Sequence, residues 1–214
     1  MPEIAPLRTP GDVRSEVVDD AVRHSLLVRV THWLNSFVFL ALVVSGAAIL
    51  LAHPRLYWGE TGAFGSPAWI ELPLPLNLYQ TGWGRSLHFL AAWISVLNGS
   101  IYVLSGIASR RFSDDSRKYT MSQRWAYLAV VFVLFPLMIA TGLAMSPAIA
   151  AVLPGLVSSL GGHQSSRTIH FLVTDVLLLF VFGHVAMVYL SGFRSRIRGM
   201  ILGRPGRMET KERV

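Results

Sequence analysis

Four long apolar stretches divide the chain, over residues 30–52, 85–108, 125–145 and 167–192. Each is long enough to cross a hydrocarbon core as an α-helix, which takes about 20 residues. The first predicted helix ends at His53-Pro54, and the third carries Pro136, a residue that predicts a kink. The connections differ in kind. Residues 53–84 are rich in Trp, Tyr, Pro and Gly (Tyr57, Trp58, Pro67, Trp69, Pro73, Pro75, Tyr79, Trp83) and are too broken to span. Such a stretch reads as interfacial segments or as a docking surface. Residues 110–124 form a short charged loop, and 147–166 read as a loop with Gly and Pro and almost no charge. There is no internal repeat. The predicted organisation is a polar tail over 1–24, a four-helix transmembrane domain over 25–195 and a basic tail over 196–214. The fold class is therefore all-α, an integral membrane four-helix bundle. The N-terminal tail holds Glu3, Asp12, Glu16, Asp19 and Asp20 and has no apolar run of the signal-peptide kind.

Composition agrees with that class: 52% of residues are hydrophobic and 14% charged. The absence of Cys excludes disulfides, thiolate-held iron–sulfur clusters and covalently attached haem from this chain. The net charge of +7 raises nucleic acid as a partner, but the basic residues flank the apolar spans, where topology signals belong. Arg8, Arg14, Arg23 and Arg29 precede the first span, Arg110, Arg111, Arg117, Lys118 and Arg124 follow the second, and seven more, from Arg194 to Arg213, follow the fourth. The other two connections hold only Arg55, Arg85 and Arg167. With Lys and Arg retained on the inside, both termini are expected in the cytoplasm of a multi-pass protein of the bacterial inner membrane.

Topology then assigns depth to the histidines. His170 and His184 stand fourteen residues apart in the fourth span. That is nearly four whole helical turns and a rise of about 21 Å, so both rings leave one face near opposite membrane surfaces. His32 begins a helix leaving the cytoplasm, and His88 begins one returning to it. Depth alone pairs His32 with His184 at the inner level and His88 with His170 at the outer level. One intramembrane His reads readily as a hydrogen-bonding group between helices. Two level pairs match what two bis-imidazole haem sites require, and ionisable groups at such depths are usually functional.

Arg29, Arg85 and Arg167 each precede a histidine by three residues (His32, His88, His170) and share its helix face. A guanidinium there could pair with a haem propionate, or it could mark the interface by snorkelling. Down the same stripes lie Asn35, Ser36 and Gly46, and Ala92, Ser95 and Gly99. Such small residues admit a flat macrocycle or serve ordinary helix packing. His24, His53 and His163 have no level partner within a span and read as solvated or interfacial.

Arg29-Val-Thr-His32-Trp33 with Ser45-Gly46, then Arg85-Ser-Leu-His88-Phe89, then Arg167-Thr-Ile-His170 and His184, resemble the bacterial di-haem cytochrome b family. The family includes the membrane anchors of nickel–iron hydrogenase, formate dehydrogenase and thiosulfate reductase. The resemblance covers residues 25–195 and implies two non-covalent b haems with His32, His88, His170 and His184 as axial iron ligands. It also implies electron transfer between a partner oxidoreductase and the quinone pool, with the chain as the membrane subunit. The two outer connections, long and nearly free of charge, put that partner on the extracytoplasmic side. Two alternatives stay open: a self-contained quinone-linked enzyme of the same architecture, for example one reacting with superoxide, and a haem-free transporter or proton relay. The second has little to work with, because Asp175 is the sole carboxylate within a predicted span.

Overall fold

The computed structural model describes residues 25–62, 65–73, 82–109 and 121–203. His24, Pro75, Tyr79, most of the charged loop and the end of the basic tail lie outside the described residues. Helices dominate. Helix α1 is Leu26–Ala52, α2 is Trp83–Ala108, α3 is Met121–Ala129 and α4 is Phe135–Ala144. Two short helices follow, α5 over Pro147–Val152 and α6 over Pro154–Ser159, then α7 over His163–Leu190 and α8 over Phe193–Leu202. Among the described residues, four stretches are long and apolar enough to cross a membrane: Leu26–Ala52, Trp83–Ala108, Trp125–Ala144 and His163–Leu190. They correspond to the four predicted spans, with ends moved by a few residues.

The third span is one continuous helix with a local defect. Val130–Leu134 forms a single π-helical turn between α3 and α4. Pro136 has no N–H to give the carbonyl four residues back, and its ring crowds that carbonyl. A wider turn just before the proline relieves both problems, so the expected disturbance is a π turn.

Two connections are more ordered than their composition predicts. Residues 147–166 were expected to be loop because of their Gly and Pro. Pro147 and Pro154 instead occupy first-turn positions of α5 and α6, where a missing N–H costs nothing. The fourth span starts at His163, four residues before the expected Arg167. In the first connection, β1 (Arg55–Leu56) pairs antiparallel with β2 (Ile70–Glu71), Arg55 opposite Glu71 and Leu56 opposite Ile70. The Arg55 Nε–Glu71 Oε1 ion pair at 2.9 Å caps the ribbon and raises the Arg55 pKa. The Trp58 and Trp69 rings lie 5.4 Å apart and remain more than half exposed.

The chain divides into two compact units, Leu34–Gly183 and a second made of Met1–Trp33 with His184–Val214. In the larger unit Val130, Val173 and Leu177 form a buried cluster packed by Phe39, Leu134, Phe135, Met138 and Ile169. The buried side chains are otherwise small and often polar: Ser45, Thr141, Ser165, Ser166 and Thr168 are 0% exposed, whereas Leu97 is 65% and Phe182 76% exposed. This inverted pattern suits a lipid solvent, in which large apolar side chains face outward and small residues let helices approach. In the smaller unit, Gly192 at φ 96° separates α7 from α8, and most of α8 lies in the stretch read as basic tail. Phe193, Ile197 and Ile201 recur every four residues along α8, a helical period that the arginines between them mask. Trp33 Nε1 donates to the Met200 carbonyl at 3.2 Å and ties α8 to α1.

Gly162 has φ 108°, and a Cβ there would lie 2.5 Å from the Gly59 carbonyl oxygen. Gly59 itself has φ 100° but open space around it. Both positions carry the backbone strain of a left-handed conformation, on the order of 1 kcal/mol for an L-residue. Only Gly162 adds a backbone clash. We expect Gly162→Ala to lower the melting temperature of the detergent-solubilised protein clearly more than Gly59→Ala does. Equal shifts would show that this contact is not close in solution.

Candidate functional site

The four span histidines meet two by two. His32, on α1, faces His184, on α7, with ring centroids 6.3 Å apart and planes inclined at 50°. The Trp33 ring stands edge-on to His32 at 5.5 Å. His88, on α2, faces His170, on α7, at 6.2 Å and 62°. The first pair falls within the smaller unit and the second within the larger. His184 is the most open of the four rings; the others are half-buried.

The second pair sits in a polar shell. Ser45 Oγ lies 3.0 Å from His88 Nδ1, and Thr141 Oγ1 lies 2.9 Å from His170 Nδ1. Each hydroxyl residue is followed by a glycine that borders the same ring. A Cβ on Gly46 would lie 3.5 Å from His88 Cε1, and one on Gly142 would lie 3.6 Å from His170 Cε1. Sequence reasoning noted Ser45-Gly46 and missed Thr141-Gly142, because the third span has no histidine to draw attention to it. A hydroxyl–glycine dipeptide stands late in all four predicted spans (Ser45-Gly46, Ser105-Gly106, Thr141-Gly142 and Ser191-Gly192), so the dipeptide alone does not single out Thr141.

The helix carrying His170 is held by the first connection. Gly59 O accepts from the N–H groups of Gln164 and Ser165, and Gly59 N–H donates to Ser165 Oγ at 2.8 Å. Thr168 Oγ1 donates to Tyr57 O at 2.6 Å, and Arg167 Nη2 donates to the His53 carbonyl. Of the three arginines, Arg167 is therefore engaged by backbone, Arg85 is exposed, and the buried Arg29 Nε makes no hydrogen bond among the described residues. Of the small-residue stripes, Gly46 borders His88, while Gly99 faces open space. His53 is exposed, and His163 is half-buried at the start of α7, its N–H 3.4 Å from Glu60 Oε2. No cluster of three or more His, Cys, Asp or Glu able to hold a bare metal ion occurs among the described residues.

The comparisons with known proteins agree on the class. Residues 23–203 match the family model described as prokaryotic cytochrome b561. A chain from Azospira oryzae, described as a candidate protein-methionine-sulfoxide reductase subunit, YedZ1, is 29% identical over 195 residues. The match covers 78% of this chain and 90% of that one. No solved structure matches the chain.

The family description implies b-type haem, and both histidine pairs have the dimensions for it. Imidazole nitrogens bind first-row transition metals at about 2.0–2.1 Å, and the ring centre lies about 1.1 Å further back, so two imidazoles sharing one ion stand about 6.3 Å apart. The observed separations are 6.2 and 6.3 Å. Beside His88 and His170 the glycines leave space that any larger side chain would fill, as a planar macrocycle requires.

Proposed function

The chain belongs to the prokaryotic cytochrome b561 family, and from that premise we propose that it is the di-haem membrane subunit of a quinone-linked oxidoreductase. Its family moves electrons across membranes through b-type haem. In this reading His32 with His184 and His88 with His170 are the axial ligands of two haems, and Arg29, Arg85 and Arg167 face their propionates. The bound haems supply one-electron carriers. The protein supplies four neutral imidazoles and the helices that hold them in facing pairs. The observation that carries the reading is the matching centroid separation of the two pairs. The fourteen-residue spacing of His170 and His184 supports one haem level near each membrane surface.

The partner reading rests on the relative, which is described as a subunit of a reductase, and on the aromatic, lightly charged connection after the first span. An extracytoplasmic reductase or oxidase subunit docked there exchanges electrons with the His88–His170 level, and quinone does so in the membrane near His32 and His184. Lys and Arg placement supports cytoplasmic termini, with 1–24 and 196–214 as tails of the 25–195 membrane domain.

Haem stoichiometry tests the ligand set. His88→Ala and His170→Ala should each remove one and the same b haem, and His32→Ala and His184→Ala the other. Retention of two haems in His184→Ala would overturn that assignment. For the function, the purified protein should be reduced at both haems by a quinol analogue and reoxidise slowly until its extracytoplasmic partner is added. Rapid turnover with oxygen or superoxide and no partner would instead favour a self-contained enzyme. Reporter fusions after Gly62, Ser116 and Gly161 should read outside, inside and outside; a cytoplasmic signal at Gly62 would reverse the topology.

A further inference from the structure

Resting on the reading of His88 and His170 as the axial pair of one haem, we propose that Ser45 and Thr141 are its positioning residues. Their hydroxyls hold both imidazoles in the Nδ1–H tautomer and thereby set the potential of that haem.

The argument is a count of protons. A hydroxyl has one proton to give and lone pairs to receive with. Ser45 Oγ lies 2.6 Å from Ala41 O and 3.2 Å from Leu42 O. Thr141 Oγ1 lies 2.8 Å from Leu137 O and 3.0 Å from Met138 O. A carbonyl oxygen can only accept, so each hydroxyl proton points back into its own helix. What remains on each oxygen is acceptor capacity. The ring nitrogens at 3.0 and 2.9 Å must then be donors, His88 Nδ1–H and His170 Nδ1–H. A neutral imidazole protonated on Nδ1 keeps its lone pair on Nε2, and Nε2 becomes the nitrogen offered to iron on both sides.

Burial makes the choice firm. Ser45 and Thr141 are 0% exposed, so no water competes for the Nδ1 protons. The arrangement is duplicated on different helices. Ser45 on α1 serves His88 on α2, and Thr141 on α4 serves His170 on α7. Each is followed by a glycine beside the same ring, so one dipeptide orients the ligand while its second member leaves room. An acceptor at Nδ1–H lends electron density to the imidazole, which stabilises the ferric over the ferrous iron and lowers the potential.

The test is a redox titration of the full-length protein, following each haem by visible and low-temperature EPR spectra. Ser45→Ala and Thr141→Val should each favour reduction of one haem by about threefold to tenfold, or about 28 to 59 mV at 59 mV per decade for one electron. They should change its EPR g values and leave the other haem unmoved. Thr141→Ser should restore wild-type behaviour. If Thr141→Val loses that haem while Thr141→Ser keeps it at the wild-type potential, the hydroxyl is required and the proposal stands. Loss in both, or unchanged potentials and g values in Ser45→Ala and Thr141→Val, would reduce the two residues to packing and overturn it. Failure of the parent reading looks different: His88→Ala and His170→Ala would then leave every haem in place.

Discussion

A polar group inside a hydrocarbon layer must find its partner within the protein, because no water is there to serve it. That constraint accounts for most of what is ordered in the interior of the larger unit. Ser45, Thr141 and Thr168 all send their hydroxyl protons to backbone carbonyls, and none is exposed. Once those protons are committed, the oxygens of Ser45 and Thr141 become fixed acceptors, and the imidazoles beside them lose their freedom of tautomer. In water the same residues would exchange partners with solvent and the rings would sample both forms. The membrane thus turns an ordinary helix feature, a hydroxyl bonded to its own preceding turn, into a device that orients an imidazole.

The same economy links the first connection to the site. The Gly59 carbonyl accepts from the opening turn of α7, and the Gly59 N–H donates to the Ser165 hydroxyl oxygen. Gly162, in a left-handed conformation, lets the two segments come this close. One turn further on, Thr168 and Arg167 bond to the Tyr57 and His53 carbonyls. These contacts fix the start of the helix that carries His170. A connection that composition marks as a docking surface also holds the helix of His170 and His184, and a partner bound to the exposed Trp58 and Trp69 would sit on that scaffold.

The four spans were legible in the sequence because lipid demands long apolar runs, and little else produces them. The histidines stood out for the complementary reason, that such runs seldom contain ionisable groups. That their rings meet two by two is geometry, and that they bind iron is the proposal. The short helices α5 and α6 escaped notice because Pro reads as a breaker unless its place in the first turn is known. Helix α8 escaped because its charge outweighed its four-residue apolar period. Thr141 and Gly142 were illegible for a different reason. Their meaning depends on His170, twenty-eight positions away for Gly142, and only packing brings them together.

The third span, with no histidine of its own, shows how local backbone chemistry reaches the site. Pro136 cannot hydrogen-bond to Phe132 O, and the chain answers with the π turn Val130–Leu134. One such turn adds a residue to the helical repeat and rotates everything beyond it by about 100° relative to a regular α-helix. Thr141 and Gly142 lie beyond it, in α4. Without the π turn, the face that now presents a hydroxyl and a glycine to His170 would be turned about a quarter of the way round, and larger neighbours such as Leu137 and Met138 would shift with it. The proline and the wider turn it provokes therefore set the register in which this span meets His170. The effect is carried by backbone geometry alone, and through it a helix with no histidine of its own determines what stands beside the His170 ring on another helix.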